Sequence, residues 1–468
     1  MQTLVMKFGG TTVGNTTALT QVVSIVLQEN ERWDRLVLVV SALEGVTDAL
    51  IEAAHLAQLG NRRGYRRIAA TIRTRHLALI EQLPLGTNER SVLQADIDQM
   101  LFDMLELCQT MADTAAEQAI PAKTDSIIGV GERLSARIVA ALLRQNNLRG
   151  VALDATELVI TDETYGNAKP NLEITGQRIK EHLIPMLGRI IPVITGFIGG
   201  TATGNTTTLG RGGSDYTASI ISVCTEASET WMWTTVDGMM STDPHLIDSA
   251  KVISELSYDE VAEMAYFGAR ILHSRMIDPL KRLKIPLRIK NVFKPQQSGT
   301  LIHSKSNIKS GLLKAVTAIQ GISLFADQSG SLAQISAVVD ETLFKSIGSH
   351  ADVMIASQSS SKSFLCFVIP TASGPDAVHT TQTSLQQRLS EMPKFTDWQV
   401  EQISLVTIIG SGIDSAPQTI AKIFNTIGDI PILTMTQGPS HCSLTLIIKP
   451  EDADNLLEVI HTLIISNA

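Results

Sequence analysis

The chain has 468 residues, 44% apolar and 18% charged, enough for roughly two to four globular domains with substantial cores. A net charge of −9 argues against nucleic acid or an anionic membrane surface as a partner, since both select basic faces. Cys108, Cys224, Cys366 and Cys442 are widely separated and form no CxxC pair, which disfavours a zinc site or disulfide framework. The start, Met1-Gln2-Thr3-Leu4-Val5-Met6-Lys7, lacks the apolar run of a secretory leader, and no stretch approaches the ~20 apolar residues of a membrane span. The expected location is the cytoplasm.

Leu4-Val5-Met6 is a short apolar run that stops at Lys7-Phe8-Gly9-Gly10-Thr11-Thr12-Val13-Gly14. Leu19, Val22, Val23, Val26 and Leu27 follow at helical spacing, with Thr16 or Thr17 as the expected cap. Leu36 to Val40 reads as a strand buried on both faces, Asn88 to Gln118 as a helix, and a further helix begins near Glu132. Val151 to Leu153, Ile190 to Thr195 and Thr230 to Thr234 read as more strands. Strands alternating with helices predict a doubly wound, mostly parallel α/β sheet sandwich over residues 1–302. The polar stretch His303 to Gly311 reads as a linker. Beyond it lie two similar blocks, 312–395 and 400–468, each placing a helix (Leu332 to Ser346; Pro417 to Ile427) before a pair of strands. Both blocks are expected to be α+β domains of a β-α-β-β type.

Two glycine-rich segments are the places to look for chemistry. Lys7-Phe8-Gly9-Gly10-Thr11 sits between strand and helix, where backbone N–H groups and a lysine can meet an anion. A tight turn with a solvated lysine would use the same residues. The second segment, Thr206-Thr207-Thr208-Leu209-Gly210-Arg211-Gly212-Gly213-Ser214-Asp215, leaves a buried strand and enters a helix near Tyr216. Ser214 or Asp215 is a competent helix cap there, and Arg211 between glycines could clamp a carboxylate bidentately. Neither segment matches GxxxxGK[ST] or GxGxxG, which disfavours a P-loop NTPase and a Rossmann dehydrogenase.

Taken in order, Lys7 to Gly14, Gly131-Glu132-Arg133-Leu134-Ser135-Ala136, Tyr165-Gly166-Asn167-Ala168, Thr208 to Asp215, Thr234 to Pro244 and Phe267 to His273 resemble the successive signatures of the aspartate kinases. The two C-terminal blocks resemble the tandem ACT regulatory domains of that family. The resemblance implies the amino-acid kinase fold and transfer of the γ-phosphate of ATP, with Mg²⁺, to the β-carboxylate of L-aspartate. That step opens lysine, threonine and methionine synthesis. It further implies an amino-acid effector at the ACT domains and a homodimer or larger homo-oligomer. With the chain ending at Ala468, no fused homoserine dehydrogenase domain is expected.

Carried over by position, Lys7 and Asp215 are the implied catalytic pair. Lys7, Phe8, Gly9, Gly10, Thr11, Gly213, Ser214, Asp215, Thr234, Thr235, Met240, His245, Arg270 and Ile271 are implied for ATP. Ser41, Thr47, Glu132, Arg211 and Gly212 are implied for aspartate, with Arg211 on its α-carboxylate and Glu132 on its ammonium group. Read alone, Glu132 and Thr47 could equally be helix-cap or surface residues. Phosphoryl transfer to an ionised carboxylate needs cations and N–H donors rather than a general base, which fits this set. For the effector, the loop Asp327 to Leu332 and the following strand supply Gly330, Ser331, Leu332 and Asp352. Asp327 and Ser331 capping a helix, with Asp352 solvated, is the alternative.

The nucleotide turn departs from the family pattern. Thr235 stands where Asp is usual, Met240 where Tyr is common, and His245 where Arg follows Asp243-Pro244. Arg270 replaces Lys, and Ser274 replaces Pro. These changes suggest a retuned ATP pocket, and if His245 reaches a phosphate, nucleotide binding should strengthen as pH falls through its titration. An amino-acid-sensing ACT protein with a weak kinase domain is the alternative reading. An enzyme of the same fold acting on glutamate or carbamate is disfavoured by the Arg211 block and the ACT pair.

Overall fold

The computed structural model describes residues 1–113, 120–268, 272, 274–304, 311–327, 332–348, 350, 352–369, 376–395 and 397–466, leaving aside the side chains of 274 and 352–354. The chain divides into two units. The first comprises Met1–Met239, Val252–Tyr258 and Ile271–Lys305, and the second Met240–Lys251, Asp259–Arg270 and Ser306–Ala468.

The first unit opens with β1 (Thr3–Phe8), the turn α1 (Gly10–Val13), α2 (Thr16–Asn30) and β2 (Arg35–Val40). Next come α3 (Val46–Gln58), α4 (Arg62–Gln82), α5 (Thr87–Asp113), α6 (Ile120–Ile128), α7 (Val130–Gln145), β3 (Gly150–Leu153), β4 (Ile160–Thr161) and α8 (Leu172–Arg178). Then follow β5 (Ile191–Thr195), β6 (Ile198–Thr201), β7 (Thr206–Thr208), α9 (Gly213–Cys224), β8 (Glu229–Thr234) and β9 (Glu255–Ser257). After α10 (Tyr258–Tyr266), which falls mostly in the second unit, the first closes with α11 (Ser274–Leu283), β10 (Leu287–Asn291) and β11 (Thr300–His303).

Eight strands form one sheet in the order β3-β5-β2-β1-β8-β10-β11-β9, parallel except for the β10–β11 pair. The interior strands read as continuous apolar runs because both faces are covered: Leu4, Val5, Met6 and Phe8 are all fully buried. Phe8 lies opposite Val40 on β2 and Trp233 on β8. The sheet grows outward in both directions from β1, and a crevice at the carboxyl ends of β1 and its neighbours is where such sheets bind ligands. A small sheet, β4-β6-β7, stands beside it.

Two expected caps are replaced. Asn15, rather than Thr16 or Thr17, caps α2, its side chain accepting from Ala18 N at 2.9 Å. At α9 neither Ser214 nor Asp215 caps; both lie inside the helix, whose cap is Gly212 at φ 70°. The glycine reaches a left-handed conformation that Ser or Asp would resist.

The second unit adds β12 (Leu312–Ala326), α12 (Leu332–Ile347), β13 (Asp352–Gln358), β14 (Ser363–Val368), α13 (Ala377–Ser390), β15 (Gln399–Ser411), α14 (Pro417–Ile427), β16 (Thr434–Gln437), β17 (Ser443–Ile448) and α15 (Ala453–Ser466). Its strands make one antiparallel sheet in the order β13-β14-β12-β15-β17-β16. Two cores lie on it. Ile322 and Leu324 of β12 pack with α12 and α13, whereas Leu313 and Val316 of the same strand pack with α14 and α15. The long strand thus serves both repeats, where the sequence order assigns it to the first.

Segments from before residue 302 also belong to this unit. Glu260 on α10 is 1% exposed and pairs with Lys314 Nζ at 2.7 Å, while Ser411 Oγ donates to its other oxygen at 2.7 Å. Ser241 Oγ lies 2.9 Å from Nε2 of buried His461 on α15, and Val316 N donates to the Ser241 carbonyl at 2.8 Å. Burial lowers the pKa of His461, with Lys251 adding to the effect.

Candidate active site

A cleft of about 690 Å³ opens at the carboxyl end of β1 in the first unit, a size suited to a small-molecule site. It brings together Lys7, Gly10, Ser41, Thr47, Glu132, Arg211, Gly212, Gly213, Ser214 and Asp215, which come from well-separated stretches of the sequence. At the β1 turn the backbone comes close to the segment after β2: a Cβ on Gly10 would stand 2.8 Å from the Ala42 carbonyl oxygen.

One ion pair is already formed in the cleft. Lys7 Nζ lies 2.5 Å from Asp215 Oδ1, with the two side chains 14% and 20% exposed. β1 ends at this lysine and its neighbour, and α9 carries Asp215 in its first turn, so a strand end and a helix start meet through one ion pair. A second acidic group of the cleft is incompletely paired. Glu132, in the first turn of α7, is 2% exposed; its Oε1 accepts from Ala42 N at 3.2 Å, and its Oε2 is buried with no protein partner. Burial pushes its carboxyl up to about 8. A buried carboxylate oxygen without a donor is costly, and a cationic ligand group entering the cleft would relieve that cost.

Other expected residues lie elsewhere. Phe8 is fully buried and stacks on Trp233 with parallel rings 6.0 Å apart, so its side chain is core. Gly9, Thr11, Thr234, Thr235, Met240 and His245 do not line the cleft, and His245 is exposed with its backbone N–H on Asp243. The turn after β8 is braced by residues that sequence reasoning passed over. Asn291 Nδ2 donates to the Thr235 carbonyl at 3.1 Å and to Asp237 Oδ1 at 2.6 Å, and Lys294 pairs with Asp237 at 2.6 Å. Lys294, then Asn291, hold the Asp237 carboxyl below the usual carboxylate range. Arg270, Ile271, Gly330 and Ser331 lie outside the described residues, as does the side chain of Asp352; Leu332 begins α12, and Asp327 lies 3.5 Å from Lys362.

Sequence reasoning also missed Asp125, a buried carboxylate in the cleft wall. It lies on α6, ahead of the signature that opens at Gly131, and its polarity within a helix gave no signal by itself. Among the described residues no three His, Cys, Asp or Glu side chains gather as a metal cluster.

The sequence profile of the amino acid kinase family matches residues 2–291, and that of the ACT domain matches residues 406–463. Lysine-sensitive aspartokinase 3 of Escherichia coli K12 is 29% identical over 461 residues, covering 98% of both chains. The chloroplastic bifunctional aspartokinase/homoserine dehydrogenase 1 of Arabidopsis thaliana is 28% identical; the match covers 98% of this chain, which spans half the length of that protein. Among solved structures, E. coli aspartokinase III with lysine and aspartate in the T-state superposes with a TM-score of 0.82 at 27% identity, covering 99% of this chain and 100% of that one. The R-state of aspartokinase III with aspartate and ADP gives 0.74, also at 27%, covering 98% and 99%.

Proposed function

The chain belongs to the amino acid kinase family, and we propose that it acts as an aspartate kinase, moving the γ-phosphoryl group of ATP onto the β-carboxylate of L-aspartate. One observation carries this reading: a single cleft holds the Lys7–Asp215 pair together with a buried Glu132 carboxylate that has one oxygen unpartnered. The Glu132 oxygen takes the α-ammonium group of aspartate, and exposed Arg211 takes the α-carboxylate bidentately. The β-carboxylate is then left for the Lys7 side.

A β-carboxylate oxygen attacks the γ-phosphorus, the bond to the β,γ-bridging oxygen breaks, and ADP departs with that electron pair. The nucleophile is ionised at neutral pH, so no base is needed. Lys7 balances charge on the transferring phosphoryl oxygens, and Asp215 orients the ammonium group for that work. Thr234, Thr235, Met240, His245, Arg270 and Ile271 are assigned to the nucleotide. Mg²⁺ would arrive with ATP, Asp215 is a carboxylate of the cleft that could help hold it, and the ion would supply neutralisation of phosphate charge. The second unit takes an amino-acid effector, and Gly330, Ser331, Leu332 and Asp352 are the residues assigned to it. Among the described residues no helix is long and apolar enough to cross a membrane, and we place the enzyme in the cytoplasm as a homo-oligomer.

The test is ADP release dependent on L-aspartate, with the acyl phosphate trapped as a hydroxamate. Lysine, threonine and methionine are then added separately. Aspartate-dependent ADP release with hydroxamate formation is expected, together with inhibition by lysine or threonine. ATP turnover indifferent to aspartate would sink the reading.

A further inference from the structure

Tyr165-Gly166-Asn167-Ala168 has no part in the chemistry above, yet it lies against the segment that carries Arg211. Two side chains from other helices fasten the two segments together. On one side, Asp125 of α6, 2% exposed, accepts with the same oxygen from Gly166 N at 2.9 Å and Thr208 N at 2.7 Å. On the other, Arg275 of α11 donates through Nη1 to Asn167 Oδ1 at 2.6 Å and to the Leu209 carbonyl at 3.0 Å. Between them Ala168 N donates to the Thr208 carbonyl at 2.9 Å.

The residue these contacts lead to is Gly210, at φ 76°, next to Arg211. A Cβ there would stand 2.7 Å from Asn167 Oδ1, so backbone and turn are as close as a glycine permits. Arg211 itself is exposed and its long side chain is rich in rotamers, so its direction depends on how firmly Thr208 to Gly210 are held.

We propose that Asp125 and Arg275 are positioning residues for aspartate recognition, clamping the Gly166–Asn167 turn to Thr208–Leu209 so that Arg211 is aimed at the substrate carboxylate. Asp125 works as a twofold acceptor of backbone N–H bonds; its burial raises its pKa while those two bonds oppose the rise. The inference rests on the reading of Arg211 as the α-carboxylate ligand.

The experiment measures kcat and KM for L-aspartate and for ATP in Asp125→Ala, Asp125→Asn, Arg275→Met and Asn167→Ala, with Arg211→Met as the reference. Each is also assayed with L-aspartic acid α-amide, which lacks the α-carboxylate. Asn167 is exposed, so its variant leaves the fold intact even if Asp125→Ala does not. Asp125→Ala and Arg275→Met are expected to raise KM for aspartate about 10- to 100-fold, the scale of a misplaced binding group, with KM for ATP little changed. Both should also narrow the preference for aspartate over its α-amide. Asn167→Ala should do the same to a smaller degree, and Asp125→Asn should restore near-normal values because an amide oxygen accepts both N–H bonds. If Asp125→Asn is as impaired as Asp125→Ala, the carboxylate charge itself meets substrate and positioning is wrong. Equal loss toward aspartate and ATP, or unchanged preference over the α-amide, would reduce these residues to fold stability. Should Arg211→Met leave both KM and preference intact, the reading of Arg211 fails, and this inference falls with it.

Discussion

Two charged features of the cleft are satisfied in opposite ways. Lys7 and Asp215 satisfy each other before any ligand arrives. Glu132 has one oxygen on Ala42 N and one with no protein partner. A preformed pair costs little to keep and is available at once for the charge that develops on a phosphoryl group. An orphaned carboxylate is held partly neutral by its surroundings and becomes fully charged when a cation joins it. On the proposed reading the pair serves the transition state and Glu132 a ground-state ligand, and the two should separate in kinetics.

Lys7→Met gives the largest effect expected: kcat should fall by at least ~10²-fold, the scale of losing one preorganised donor, while the fold persists. Steady-state turnover with circular dichroism as the fold control checks it, and near-normal kcat would place the transferring charge elsewhere. Glu132→Gln should act on binding instead, raising KM for aspartate roughly 10- to 100-fold through loss of a charged hydrogen bond, with a smaller change in kcat. Arg211→Lys should raise KM for aspartate by roughly tenfold, because an ammonium cannot reproduce the bidentate fork, and should alter KM for ATP less. If only the ATP parameter moves, Arg211 belongs to the nucleotide and the proposed assignment is reversed.

The smallest effects are set by pH. Below about 8 the free enzyme carries Glu132 mostly protonated, so an ammonium ligand must wait for, or drive, loss of that proton. KM for aspartate should therefore rise as pH falls below about 8, by at most tenfold per unit, and Glu132→Gln should flatten the profile. Stability runs the same way. The folded carboxyl keeps a proton that the unfolded one, at 4.5, has released, so unliganded stability declines as pH rises from 4.5 to about 8 and is level above. The Tm of Glu132→Gln relative to the parent chain should accordingly grow between about pH 5 and pH 8. A gap independent of pH would mean that Glu132 is ionised throughout, and its contrast with the Lys7–Asp215 pair would vanish.

The strands of the large sheet were legible because burial on both faces writes continuous apolar runs such as Leu36 to Val40. The helices α12 and α14 were legible for the complementary reason, a one-sided apolar face. Lys7, Glu132, Arg211 and Asp215 could be named because the order of glycine-rich segments matches a family pattern, and the fold brings all four to one cleft. Phe8 could not be told from its neighbours. Inside a signature it reads as site, and the stack on Trp233 makes it core. Asp125, Arg275 and Asn291 were missed for a different reason. Each acts on atoms far away in sequence, 41 and 83 residues in the case of Asp125, and nothing local announces such a bond. The shared use of β12 by both repeats was likewise hidden, because a strand of 15 residues carries no mark at the point where one core gives way to the next.

The buried Lys314–Glu260 pair has a consequence for anyone wishing to dissect the molecule. Glu260 precedes the last strands of the large sheet in sequence, yet its cation and its hydroxyl donor, Ser411, come from beyond residue 305. A fragment ended at 305 would keep the buried Glu260 carboxylate while losing the Lys314 ammonium and the Ser411 hydroxyl, at a cost on the scale of about 3–5 kcal/mol for a broken buried pair. Ile247 and Phe267 would lose their apolar partners in the same stroke, since each packs on a core built from later residues. Catalytic and regulatory halves are therefore not modules that can be expressed apart by cutting the gene once. A kinase unit freed from its regulator would need its two excursions redesigned as surface, beginning with Glu260.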